Sequence, residues 1–213
     1  MFIFRLLTVA ALGAATLGQA QTTQLESHEN DGSFANVEVI NNGTENVTFS
    51  IDVEEPTIAD IIGFFFDLDA DFANLEISAV TGTEANGVSI MLDDLNLTIN
   101  PAGGLTDLGG GINLNGTGES FQAGVSFGTN GIGGRGGNKL DVRSVEFTLS
   151  STNGSNIEIG DNFGLRLGSV GADREGSSKL INSELPPQDA PFSTSAGVAF
   201  LGMALVALRR RFA

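Results

Sequence analysis

The chain has 213 residues, 26 of them acidic and 10 basic, for a formal net charge of −16 at pH 7. It holds no cysteine, tryptophan or tyrosine and one histidine, which excludes a disulfide framework, thiolate chemistry and the usual zinc-ligand sets. A field this negative argues against nucleic-acid and anionic-lipid partners, and 41% apolar residues is too many for a disordered chain.

At the front, residues 1–5 form a short basic start ending in Arg5, and residues 6–17 an apolar stretch too short to span a bilayer. Gly18, Gln19 and Ala20 follow, with small residues at the sites a signal peptidase reads. Residues 1–20 are therefore expected to be a signal peptide cleaved after Ala20. Residues 21–35 are polar and read as a flexible arm. They contain the only histidine, His28, which lies outside any patterned segment and reads as a bystander to chemistry.

From residue 36 the pattern turns to period two, the signature of half-buried strands. Val37 and Val39 alternate with polar neighbours, and Val47, Phe49, Ile51 and Val53 alternate with Thr48, Ser50 and Asp52. The same spacing recurs at Leu75 and Ile77, at Val88, Ile90 and Leu92, and at Leu95, Leu97 and Ile99. It returns at Phe121, Ala123, Val125 and Phe127, at Val145, Phe147 and Leu149, and at Phe163, Leu165 and Leu167. Turn signals such as Asn41-Asn42-Gly43, Glu55-Pro56 and Asn153-Gly154 separate these segments. Only residues 57–62 suit a short helical turn. About ten short strands predict an all-β fold, an antiparallel β-sandwich of jelly-roll-like path over residues 36–184.

Within this stretch Asp67-Leu68-Asp69-Ala70-Asp71 is the sharpest candidate for chemistry. It resembles the opening of an EF-hand loop, but Phe72 stands where the loop needs Gly and Ser78 where it needs Glu. On a strand, Asp67, Asp69 and Asp71 share one face about 7 Å apart, wide for one Ca²⁺ unless the strand curls. A solvated acidic face competes with the calcium site, and Phe65 sits awkwardly on that face. Residues 101–137 hold 14 glycines without the Gly-Lys-Ser/Thr ending of a phosphate-binding loop, so they read as long flexible turns. The charge is split. Residues 21–134 carry 18 acids and no base, −18; residues 135–189 carry 6 bases and 8 acids, −2. Arg143 and Arg166 occupy outward positions and are expected to pair with acids such as Asp67 or Asp69.

Residues 185–213 close the chain. Pro186, Pro187, Gln188 and Asp189 precede an apolar run of 17 residues, 192–208, broken only by Ser193, Thr194 and Ser195, and Arg209, Arg210 and Arg211 end it. As a transmembrane helix the run reaches ~25 Å, marginal for a hydrocarbon core of ~30 Å. Its three arginines would stay in the cytoplasm. This layout resembles the PEP-CTERM sorting tail recognised by exosortases, with Pro187-Gln188-Asp189 where that family has Pro-Glu-Pro. An uncleaved membrane anchor is the competing reading.

A second resemblance covers residues 127–180, with Gly63-Phe64-Phe65-Phe66-Asp67 upstream. Phe127-Gly128-Thr129, Phe163-Gly164-Leu165-Arg166-Leu167 and Arg174-Glu175-Gly176-Ser177-Ser178-Lys179-Leu180 look like the β-rich ectodomain of PEP-CTERM proteins. The resemblances imply an exported, non-enzymatic surface or matrix protein, anchored through residues 192–208 and processed by an exosortase-like enzyme. They imply no cofactor, and exopolysaccharide or other surface proteins as partners. The alternative is a calcium-dependent adhesive or glycan-binding module. A secreted hydrolase ranks third, because sugar-cleaving clefts are normally walled by Trp and Tyr.

Overall fold

The computed structural model describes residues 20–84, 87–90, 92, 95–127 and 142–182. The expected signal peptide up to residue 19 and the expected tail, including Pro186, Pro187, Gln188, Asp189, Arg209, Arg210 and Arg211, lie outside these residues. Among the described residues the chain is all-β, with eleven strands: β1 (Gln21–Ser27), β2 (Phe34–Ile40), β3 (Asn46–Val53), β4 (Asp60–Asp69), β5 (Leu75–Glu84), β6 (Ser89–Ile90), β7 (Asn96–Ile99), β8 (Ala123–Ser126), β9 (Val142–Ser151), β10 (Glu158–Val170) and β11 (Gly176–Asn182). The expected helical turn at residues 57–62 is not there: 57–59 have no regular structure and 60–62 open β4. A 3-10 turn occurs at Phe72–Asn74.

The strands form one sheet, in the order β6-β5-β9-β3-β2-β1-β11-β10-β4-β8-β7, with every neighbouring pair antiparallel. The antiparallel all-β expectation holds, but the expected two-sheet sandwich is replaced by one sheet nearly closed into a barrel. Two features bring its ends round. Register shifts in β5 and β10 mark bulges, which sharpen twist and bend a sheet. The edge strands β6 and β7 are also consecutive in the chain, separated only by residues 91–95. The six Cα steps from Ile90 to Asn96 reach at most about 21 Å, so the two edges stay close at that corner.

The alternating side chains fill the interior. Val47, Phe49 and Ile51 of β3, Val145, Phe147 and Leu149 of β9, and Phe163, Leu165 and Leu167 of β10 are all fully buried. Phe49 stacks on Phe147 at 4.8 Å and meets Phe64 of β4 edge-on at 5.5 Å, while Phe64 stacks on Phe163 at 5.9 Å. Because β3 and β4 stand far apart in the sheet order, these rings meet across the interior. With no Trp or Tyr, the buried phenylalanines supply all the aromatic packing.

Residues 21–35, expected as a flexible arm, instead contain β1, paired to β2 on one side and β11 on the other. The polar sequence hides it because its ladder is satisfied on both edges while only Leu25 is fully buried.

The glycine-rich stretch also differs from expectation in its first half. Residues 100–122 run as a strap over the outer face of β10, β4 and β8, where Leu105, Ile112, Leu114 and Phe121 bury Phe65 in a second apolar cluster. That cluster explains an outward-facing phenylalanine. Phe121 belongs to the strap, whereas Ala123, Val125 and Phe127 enter the main core, so the expected single face breaks at Gln122. Gly109, Gly110 and Gly111 all have positive φ (83°, 61° and 87°), a left-handed run that residues with a Cβ resist. It lets the Ile112 N–H reach Gly109 O at 2.9 Å and turns the strap back on itself.

Candidate functional site

The three aspartates singled out in sequence are pulled to different tasks. Asp67 points outward from β4 and is half-buried: Oδ1 accepts the Gln122 N–H at 3.0 Å and Oδ2 the Asn162 side-chain amide at 3.2 Å. Gln122 Oε1 in return accepts the Leu68 N–H at 3.1 Å, so strap and strand are clasped reciprocally. Asp71 lies past the end of the strand and caps the 3-10 turn through the Ala73 N–H at 3.3 Å. Its Oδ2 takes the Asn74 and Asn153 amides, each at 2.8 Å, which pins the loop between β9 and β10. Asp69 is exposed at the end of β4, directly opposite Glu158 of β10.

Asp67, Asp69 and Glu158 line one cleft of about 350 Å³ together with Phe72 and Gln122. Among the described residues no three His, Asp or Glu side chains are gathered as a metal-ligand set. The strand ends at Asp69, so the alternation that would align Asp71 with Asp67 stops one step early.

The described bases also go elsewhere than expected. Arg143 donates to Thr57 O at 2.7 Å and Arg166 to Ser177 Oγ at 3.0 Å. Burial pushes the Arg166 guanidinium below its ordinary value, and the charge of Glu29 pulls it partly back. Lys179 donates to Asn115 O of the strap at 2.6 Å and lies 3.9 Å from Glu29 Oε1. A buried pair joins Arg174, in the turn between β10 and β11, to Asp60 at the start of β4. Its N–O distance is 2.6 Å, and Asp60 is fully buried. Local spacing gives no sign of this contact, which spans 114 residues.

His28 continues the ladder past β1, its N–H donating to Lys179 O at 2.9 Å, and the residue is exposed. The arrangement is an acid-rich exterior held by short polar clasps. Among the described residues no helix is long and apolar enough to cross a membrane.

No family model matches the chain, and no curated protein or solved structure is significantly similar to it.

The excess of acids has a measurable consequence. Repulsion among exposed carboxylates is screened with a Debye length of ~8 Å at physiological salt. The melting temperature should rise by a few degrees between low and physiological NaCl, at roughly 2–4 °C per kcal/mol recovered. A Ca²⁺ series at fixed ionic strength then isolates ion binding. An added increment that disappears in Asp69→Asn would assign the 350 Å³ cleft to calcium; a flat NaCl series would mean the acids are already compensated.

Proposed function

We propose that the chain is an exported, non-enzymatic surface or extracellular-matrix protein, held at first through residues 192–208 and then processed by an exosortase-like enzyme. The observation that carries this reading is where the folded domain lies. β1 begins at Gln21, directly after the expected cleavage at Ala20, and β11 ends at Asn182, just short of the Pro186-Pro187-Gln188-Asp189 segment. The described β-domain lies between the two expected export segments, as cargo for them would. The PEP-CTERM-like layout supplies the mode of retention, and exopolysaccharide or neighbouring surface proteins are the partners this placement suggests.

The arginines carry the test. Replacing Arg209, Arg210 and Arg211 together by Gln removes the positive stop after a marginal span. The protein should then appear in the medium or with scrambled topology, read by fractionation and by size on a gel. Unchanged localisation and unchanged size would overturn the sorting reading. A glycan-binding role on the same scaffold is favoured by a specific observation, the setting of Phe34.

A further inference from the structure

Phe34 is the first residue of β2 and is half-buried; the alternation of that strand puts it on the outer face with Asn36 and Glu38 while Ala35, Val37 and Val39 fill the core. It belongs to neither hydrophobic cluster, and among the described residues no aromatic ring stacks on it. The other outward phenylalanine of the strands, Phe65, is buried under the strap. Phe34 instead lines an open cleft of about 440 Å³ whose other side chains are polar: Gln24, Glu26 and Ser27 from β1, and Asn30 and Ser33 from the β1–β2 turn, with Gly32 between them.

We propose that this cleft is a binding subsite for a neutral saccharide, with the Phe34 ring as the platform. One face of a pyranose ring is a flat array of C–H groups and its perimeter is a belt of hydroxyls. A ring face flanked by amide, hydroxyl and carboxylate groups matches both parts at once. The register sets Glu26 directly opposite Phe34, and Gln24 opposite Asn36, so the polar groups flank the ring at adjacent ladder positions. The volume falls in the ~300–1,000 Å³ range of small-molecule sites. Charge selects against acidic sugars: Glu26 and Asp31 stand at the cleft and its turn, in a segment with 18 acids and no base.

The backbone beneath the ring is also fixed, which limits the ordering cost of binding. The Phe34 N–H donates to the hydroxyl of buried Thr57 at 3.1 Å, and the Phe34 carbonyl accepts the Glu54 N–H at 3.3 Å. The turn at the rim is held from within, since Ser27 Oγ accepts the Glu29 N–H at 3.2 Å and Asp31 Oδ1 the Ser33 N–H at 2.8 Å. Burial raises the Asp31 carboxyl, but the hydrogen bonds from Ser33, Ser178 and Ser27 outweigh it and hold the group below its ordinary value. The turn therefore stays intact at neutral pH.

The natural source of the glycan rests on the surface-protein reading above; binding itself does not. The test is affinity electrophoresis of the full-length chain in gels containing hydroxyethylcellulose, laminarin or galactomannan, with polygalacturonate as the acidic comparison. At least one neutral polymer should retard the protein and polygalacturonate should not. Phe34→Ala should weaken retardation roughly tenfold or more, the loss of one anchoring ring, while Phe34→Trp preserves or strengthens it. Phe34 is partly buried but lies outside both clusters, so Phe34→Ala should stay folded, with a melting temperature lowered by no more than a few degrees. Glu26→Ala provides a second variant that touches only the polar wall and should also weaken retardation. Absence of retardation by every neutral polymer overturns the proposal, as does retardation that survives Phe34→Ala or is seen only with polygalacturonate. None of these results changes where the protein is found in the cell, so failure here is distinguishable from failure of the sorting reading.

Discussion

Arg174→Met should cost ~3–5 kcal/mol of stability, because it strands a buried carboxylate. At roughly 2–4 °C per kcal/mol for a domain of this size, the melting temperature should fall by about 10 °C. The reasoning starts from burial. Asp60 is 0% exposed and Arg174 Nη2 lies 2.6 Å from its Oδ2. Methionine keeps the length of the arginine stem and removes the charge. Arg174 has a positive φ of 62°, and Met tolerates that backbone no better or worse, so backbone strain does not enter the comparison. Two further measurements fix the cause. The stranded carboxylate can escape by taking up a proton, so the deficit should narrow as pH falls toward the ordinary carboxylate range. Adding Asp60→Asn to Arg174→Met removes the buried charge altogether and should recover most of the loss. A loss below ~1 kcal/mol in the single variant would mean that the pair behaves as an exposed one.

That pair marks the boundary of what the sequence makes visible. Alternation reports residues that share a face, so β3, β9 and the middle of β10 are legible from Val47 to Ile51, Val145 to Leu149 and Phe163 to Leu167. It cannot report partners 114 residues apart, and nothing near Asp60 or Arg174 in sequence distinguishes them from the other acids and bases. β1 and β11 fail for a different reason. Their full burial rests on Leu25, Ser178 and Leu180, too few apolar residues to make a period. Ser178 is accommodated because its hydroxyl meets Ser27 Oγ at 3.1 Å, and each strand is secured by ladders on both sides. The aspartates of the candidate site stand out by their Asp-x-Asp-x-Asp spacing, but their dispersal depends on where β4 ends and on amides from Gln122, Asn153 and Asn162. The Phe34 cleft carries one readable signal, an aromatic residue on the polar phase of an alternating strand.

The strap left a fainter trace of the same kind. Phe65 falls on the polar phase of β4, and its ladder neighbours Gly164 on β10 and Gly124 on β8 carry no side chain. Together with Gly63 they leave a trough in the outer face. A Cβ at Gly63 would stand 2.2 Å from Ile112 Cγ2, and one at Gly164 2.3 Å from Leu114 Cδ1. The glycines are therefore needed for close approach, and the strap docks as a layer.

Docking as a layer gives truncation of its cluster an upper limit. Phe65→Ala and Phe121→Ala each remove a fully buried ring, and such changes cost ~3–5 kcal/mol where the surroundings cannot relax. Here they can. Once the lost contacts exceed the free energy that holds residues 105–121 down, the strap lifts, and removing the second ring adds little. The rings pack at 5.7 Å, so the double variant should lose little more than the worse single one, a coupling of roughly 1–3 kcal/mol. Hydrogen exchange locates the event. Amides at Leu105, Leu108, Ile112 and Leu114 should lose protection while those of β3 and β9 keep theirs. Gly164→Val should give the same pattern from the opposite direction, because its added bulk meets Leu114 and Phe121 from the sheet side. Additive losses with uniform loss of protection would instead make the strap part of one cooperative core, and the trough would then be packing rather than a docking seat.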